Sequence, residues 1–232
     1  VDFTLTNARH AHRLQLRAVP PATLARPLTI EAQVSGRNTD DIKTWTGRVD
    51  ASVARVSLPR LATWLELPFL TPQGWGALKV TSTVTHGEFT RVTAGLDLRE
   101  IETTLGADLP ALKLAQVRGQ AMWTRSPAGQ RVAFENLRVA RPGGTLGAPF
   151  NAGLAWSADS RELTARAFSL GSWQAILPSL PIDPDLRTRL QTLQPQGRFD
   201  DLRFSWSGAQ PGIDNFSIAA HFSGLGVTAV DA

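Results

Sequence analysis

The sequence contains no cysteine and no tyrosine, and one methionine among its 232 residues. Without cysteine there is no disulfide framework, no thiolate nucleophile and no thiolate metal site. The compartment stays open between cytosol and bacterial periplasm. Lysine is nearly absent too, only Lys43, Lys79 and Lys113, so the net charge of +4 is carried mostly by arginine. Such a surplus suits nucleic acid or an anionic membrane surface when it is clustered. Here it is not: Arg9, Arg55, Arg91, Arg125, Arg166 and Arg203 are spread along the chain, with no basic stripe interleaved with aromatics. Nucleic acid is therefore not an expected partner, and these arginines read as a solvated outer face. No run reaches the roughly 18 apolar residues of a membrane helix. The chain has no initiator Met, and Val1 opens directly into the alternating "VDFTLTN". It reads as a section of a longer protein, with any signal peptide or anchor outside it.

Catalytic chemistry is equally thin. The four histidines are His10, His12, His86 and His221. His10-x-His12 places two imidazoles on one side of a strand, the spacing of a metal pair, but no third ligand lies nearby in sequence. A polar outward face is the plainer reading. No nucleophile elbow, phosphate loop, His-Glu-x-x-His or dinucleotide fingerprint occurs. The acidic pairs Asp40-Asp41 and Asp200-Asp201 fall at a turn and a strand start, where carboxylates are solvated. The sequence does not read as an enzyme, and no catalytic residue, cofactor or metal is assigned. An enzyme acting on cell-wall glycan lacks its pair of carboxylates.

What the sequence has in abundance is alternation with a period of two. In "HRLQLRAV" Leu14, Leu16 and Ala18 fall on one side and Arg13, Gln15 and Arg17 on the other; in "LTIEAQVSG" the apolar set is Leu28, Ile30, Ala32 and Val34. Side chains of a strand alternate between faces, so each such segment is apolar on one face only. Comparable segments lie near 47–56, 75–85, 89–101, 114–125, 130–140, 150–157, 162–170, 197–207 and 214–223, punctuated by "GRNTDD", "RSPAGQ", "RPGG" and "GAQPG". Many one-faced strands predict antiparallel pairing. Three short helical patterns interrupt them, at 58–68, 170–181 and 183–197, the last with Asp183 placed to cap it and Pro184 to open it. They read as packing plugs. The seven tryptophans (Trp45, Trp64, Trp75, Trp123, Trp156, Trp173 and Trp206) run in phase with Leu and Val, as core residues do.

The chain also repeats itself. "TLARPLTIEAQV" at 23–34 is echoed by "TLGAPFNAGLAW" at 145–156, and Ser57-Leu58-x-x-Leu61 by Ser169-Leu170-x-x-Trp173. Pro72-Gln73-Gly74 returns as Pro195-Gln196-Gly197. Val92, Ala94, Leu96 and Leu98 correspond to Phe216, Ile218, Ala220 and Phe222. The expectation is two copies of one β unit, at about 24–101 and 146–225, each stacking on its neighbour to bury an apolar face.

Trp45-x-Gly47, the Leu58-Pro59-x-Leu61 helix, Gly74-x-Gly76-x-Leu78, "LGADLPALKLAQVRGQ" (105–120) and "LQPQGRFDDLRFSWSG" (193–208) resemble the YhdP branch of the AsmA-like, TamB-related proteins. That resemblance implies a section of a very long periplasmic protein of Gram-negative bacteria, tethered to the inner membrane by an anchor outside this segment. It implies a curved sheet forming a groove, apolar inside, that carries phospholipid acyl chains toward the outer membrane. The expected fold is mainly β, an elongated, curved antiparallel sheet built from two repeated units with a few short helices. The alternate apolar positions expected to line a groove are Leu28, Ile30, Val34, Val80, Val84, Leu96, Leu98, Phe150, Leu154, Phe216, Ile218 and Phe222. The same face is also compatible with a dry core sealed by the helices. A second functional class is a scaffold in outer-membrane assembly that takes up a client strand by β-augmentation.

Overall fold

The alternating segments form twelve strands in a computed structural model. The structure describes residues 1–8, 10–21, 25–36, 41–63, 70–174, 176–180, 182, 184–208 and 215–227. The strands are β1 (Asp2–Ala8), β2 (Ala11–Ala18), β3 (Leu28–Ser35), β4 (Thr46–Ser57), β5 (Leu70–Thr85) and β6 (Glu88–Thr104). They continue as β7 (Leu112–Ser126), β8 (Gly129–Ala140), β9 (Phe150–Trp156), β10 (Ser160–Ser169), β11 (Gln196–Ser207) and β12 (Phe216–Gly226). Each pairs antiparallel with its neighbours in sequence, in the order β1 to β12, as one open sheet. Neighbouring strands lie about 4.8 Å apart, so the sheet is roughly 50 Å wide across its strands. The expected mainly β, curved antiparallel architecture is the one the chain adopts.

The three helical patterns are realised in shorter pieces than their periodicity suggests. α1 spans Leu58–Ala62; Trp64 lies outside the described residues. The pattern at 170–181 breaks into α2 (Leu170–Trp173) and a single 3-10 turn, Leu177–Ser179. Pro178 limits the helix, because it supplies no N–H to continue the ladder and sits where a new turn begins. α3 runs Pro184–Leu193, and the proposed cap Asp183 lies outside the described residues. The Arg187 guanidinium ties α3 back by donating to the Leu180 and Ile182 carbonyls at 3.2 and 2.9 Å.

α1 follows β4 and α2 follows β10, so both fold over the same long rim of the sheet. There they make the one buried apolar cluster found among the described residues: Leu58 of α1, Ile101 of β6, Leu114 of β7 and Ile176. Leu61, Leu98, Val117, Val139 and Trp173 pack against it. Beside it Phe150 meets Trp173 edge-on at 5.1 Å, and Phe168 stacks on the same indole at 4.9 Å. Elsewhere burial is partial, and no described side chain is fully enclosed. The accessible surface is 15287 Å² for 25.1 kDa, against roughly 10,300 Å² for a compact monomer of that mass. A wide sheet with one helical lip has this surface; a closed sandwich does not.

Curvature enters at irregular residues near the helical rim. Glu100 in β6, Asn136 in β8 and Ala167 in β10 have φ of 52, 50 and 58°, the left-handed backbone of bulges that bend and twist a strand. The strand facing such a bulge must come close. Gly74 (φ 115°) lies opposite Glu100, where an added Cβ would stand 2.7 Å from the Arg99 carbonyl oxygen. Gly197 (φ 113°) lies opposite Gly224, where a Cβ would stand 2.7 Å from the Gly224 oxygen. Both positions exclude any side chain on conformational and steric grounds. Gly74→Ala and Gly197→Ala are each expected to cost about 1–3 kcal/mol, read as a lower urea midpoint with unchanged slope. Gly226→Ala, with nothing within 4 Å of its Cβ, is the control expected to leave the midpoint in place.

Candidate functional site

Residues directly opposite in antiparallel strands share a face, so the register shows what each face presents. One chain of partners crosses all twelve strands: Phe3, Leu16, Ile30, Ala51, Val80, Ala94, Ala121, Phe134, Ala152, Ala165, Leu202 and Ala220. Every member is apolar. The row beside it is Leu5, Leu14, Ala32, Val49, Ser82, Val92, Trp123, Val132, Leu154, Leu163, Phe204 and Ile218, with Ser82 its single polar member. The opposite face reads Thr6, Arg13, Gln33, Arg48, Thr83, Arg91, Thr124, Arg131, Ala155, Glu162, Ser205 and Ser217 across the same strands. On that polar face Arg48 donates twice to Asp50 and the Thr81 hydroxyl donates once. These bonds hold the Asp50 carboxyl below its ordinary value, Arg48 first and Thr81 second.

All twelve residues predicted to line a groove lie on the apolar face. Ile30 and Val80 stand in the first row, Leu154 and Ile218 in the second. Leu28 reaches Leu96 through Val53 and Leu78, and Val34 reaches Val84 through Gly47. Leu98 pairs with Val117, Phe150 with Leu137, Phe216 with Trp206 and Phe222 with Phe199. Their cover differs. Val84 and Phe150 are buried, the second under Trp173, and the residues on β3 and β6 are half-buried. Leu154, Phe216, Ile218 and Phe222 are 38, 47, 60 and 55% exposed. The face is thus covered along the helical rim, buried again at His12 and Val84 by the other rim, and most open at Leu154 and along β12. Phe3, Leu5, Phe134, Leu163, Leu202 and Phe204 belong to the same floor but were not singled out. Their alternation was visible; their alignment with neighbouring strands was not.

Three sequence readings are corrected. His12 is on the apolar face, opposite Val34 and Asn7, and only 6% exposed. It does not lie on a polar outer face. Its Nδ1 bonds Asn7 Oδ1 at 2.9 Å and its ring stacks on Trp45. Every described tryptophan is half-buried, not enclosed in a core, although Trp173 packs against the buried cluster. Trp75 is out of phase with Leu and Val, pairing with Arg99 on the polar face and carrying the Arg55 guanidinium 4.1 Å above its ring. Arg125 is not on the outer face, since it lies over the Trp123 ring at the open rim. Among the described residues, no three histidine, aspartate or glutamate side chains converge as a metal site, and no helix is long and apolar enough to cross a membrane.

Such a face offers a wide apolar area across all twelve strands. A family model described as YhdP protein matches the chain over residues 1–232. No curated protein and no solved structure matches it.

The helical lip depends on few contacts. Leu58→Ala and Ile176→Ala remove buried methyl groups from a four-residue cluster, at an expected cost of about 2–4 kcal/mol each. Limited proteolysis should then cut first at α1 or α2, with the strands cut later; simultaneous loss of strands and helices would show that the lip is no separate unit.

Proposed function

The chain belongs to the YhdP family, and we propose on that premise that it is a non-enzymatic section of a groove along which phospholipid moves with its acyl chains on the apolar face. One observation carries the reading: two rows, apolar but for Ser82, cross all twelve strands and lie most open at Leu154 and along β12. A methylene removed from water contributes about 0.8 kcal/mol, so an acyl chain gains several kcal/mol on such a floor. No row member but Ser82 offers a side-chain hydrogen bond, apart from the Trp123 indole. Nothing on the floor therefore fixes a lipid at one place, which is what passage requires. The expected setting is the periplasm, with the tether to the inner membrane in a part of the protein outside this segment. The proposal includes the repeat: residues of about 24–101 and 146–225 as two copies of one unit. The order strand, strand, helix, Pro-Gln-Gly, strand, strand recurs in both, and the backbone at Gly74 and Gly197 is alike.

A second reading rests on the outer edges of β1 and β12. Neither edge has a partner among the described residues, and Phe3 and Leu5 on β1 are 61 and 52% exposed. Such edges accept a further strand, from the rest of the same protein or from a client.

Native mass spectrometry of the purified chain separates the two: the transport reading expects adducts with the mass of phospholipid. Ile218→Asp places a carboxylate on an exposed part of the floor, where the fold is expected to change by less than about 0.5 kcal/mol while the lipid adducts fall. A clean mass from the parent chain, or adducts unchanged by Ile218→Asp, would sink the transport reading.

A further inference from the structure

The two long rims of the apolar face differ in chemistry. One carries α1 and α2. At the other, β4 begins and β7, β9 and β11 end, and there Trp45, Trp123, Trp156 and Trp206 stand on the apolar side. The register aligns Gln130, Trp156, Arg161, Trp206 and Phe216 across five strands as the last row of this rim. Arg161 thus lies on the apolar face between two indoles, and its guanidinium donates to the Gly208 carbonyl. Trp123 donates from Nε1 to Gln130 at 3.2 Å, with Arg125 over its ring. Trp206 Nε1 is buried without an acceptor among the described residues. Indoles combine an apolar body with one polar N–H and favour the boundary between hydrocarbon and water. A row of them beside two guanidiniums marks where that boundary falls on this sheet.

The dimensions agree. From Trp156 to Phe150 along β9 is roughly 20 Å at about 3.3 Å per residue. One leaflet of acyl chains is about 15 Å thick, half of a hydrocarbon core of about 30 Å. A chain of about 15 Å that starts at the Trp156 row and runs along the strands therefore fits on the face and ends about 5 Å short of the aromatic group of Phe150, Phe168 and Trp173. That end of the face is capped by α1 and α2 and apolar among the described residues.

Resting on the reading of this face as a lipid floor, we infer that the tryptophan rim orients the cargo: phosphate and glycerol lie at Arg161 and Arg125, and the acyl ends point toward the helical lip. Lipid moves broadside across the strands with its headgroup kept at one rim. Arg161 is then a positioning residue for the phosphate.

The test uses tryptophan quenching by two brominated phosphatidylglycerols, one brominated next to the ester and one at the chain end. Quenching by the first is expected to fall at least twofold when Trp156 and Trp206 are both changed to Phe. Quenching by the second is expected to fall on Trp173→Phe and not on the paired change. The reverse pattern, or equal effects, overturns the orientation and leaves the lipid floor standing; no quenching by either lipid overturns the floor itself. Arg161→Gln gives an independent arm, since a lost charge-assisted hydrogen bond lowers affinity about tenfold. Retention of phosphatidylglycerol should drop by that factor, with diacylglycerol of the same chains retained as before. An equal drop for both lipids would mean that Arg161 supports the fold and meets no phosphate.

Discussion

Strand register is the constraint on which this structure depends. Because side chains alternate between faces, a slip of one residue at any one of the eleven pairings would transfer all subsequent apolar residues to the wet face. The apolar rows survive from Phe3 to Ala220 only because every pairing is in phase. Where a strand takes on an extra residue, as at Glu100, Asn136 and Ala167, a left-handed backbone turns the parity so that apolar residues stay on one side. Ile101 and Leu98 differ in sequence parity, yet both pack in the same cluster on either side of Glu100. The bulges therefore curve the rim and preserve the face together.

A sheet with an open face cannot draw its stability from a core. Backbone ladders along long strands supply the order here, β5 and β6 being 16 and 17 residues long, and the helical lip adds one small cluster. This distribution explains the glycines at Gly74 and Gly197. When few contacts overdetermine the backbone, positions where two strands close on a bulge must be free of strain. It also explains the tolerance for exposed Leu154, Ile218 and Phe222, which in a closed domain would mark a surface awaiting a partner.

The asymmetry of the two rims gives the face a direction. Hydrophobic helices follow β4 and β10 at one rim; indoles and guanidiniums end the strands at the other. An antiparallel meander makes this possible, because every second loop falls on the same side, so a feature recurring every second connection builds one continuous rim. Any repeat with an even number of strands preserves that sidedness, and the proposed unit shifts the pattern by six strands.

The sequence by itself determined the strands, their one-faced character and the lack of known catalytic motifs, since a period of two and the want of cysteine, motif and clustered charge are local properties. The apolar-face positions on β3, β5, β6, β9 and β12 were legible for the same reason. It could not tell a floor from a core, because Leu154 has the same neighbours in sequence whether or not another layer covers it. The tertiary structure decided that by leaving the face open at Leu154 and along β12. His12, Trp75 and Arg125 are placed by phase as well, His12 with Leu14 and Leu16, Arg125 with Ala121 and Trp123, and Trp75 against Leu78 and Val80. Residue type points the other way, and the paired strands show that phase prevails. The alignment of Trp123, Trp156 and Trp206 along one rim is a product of pairing alone, between residues separated in sequence by whole hairpins. Contacts of that range are set by register and curvature, which only the assembled sheet defines.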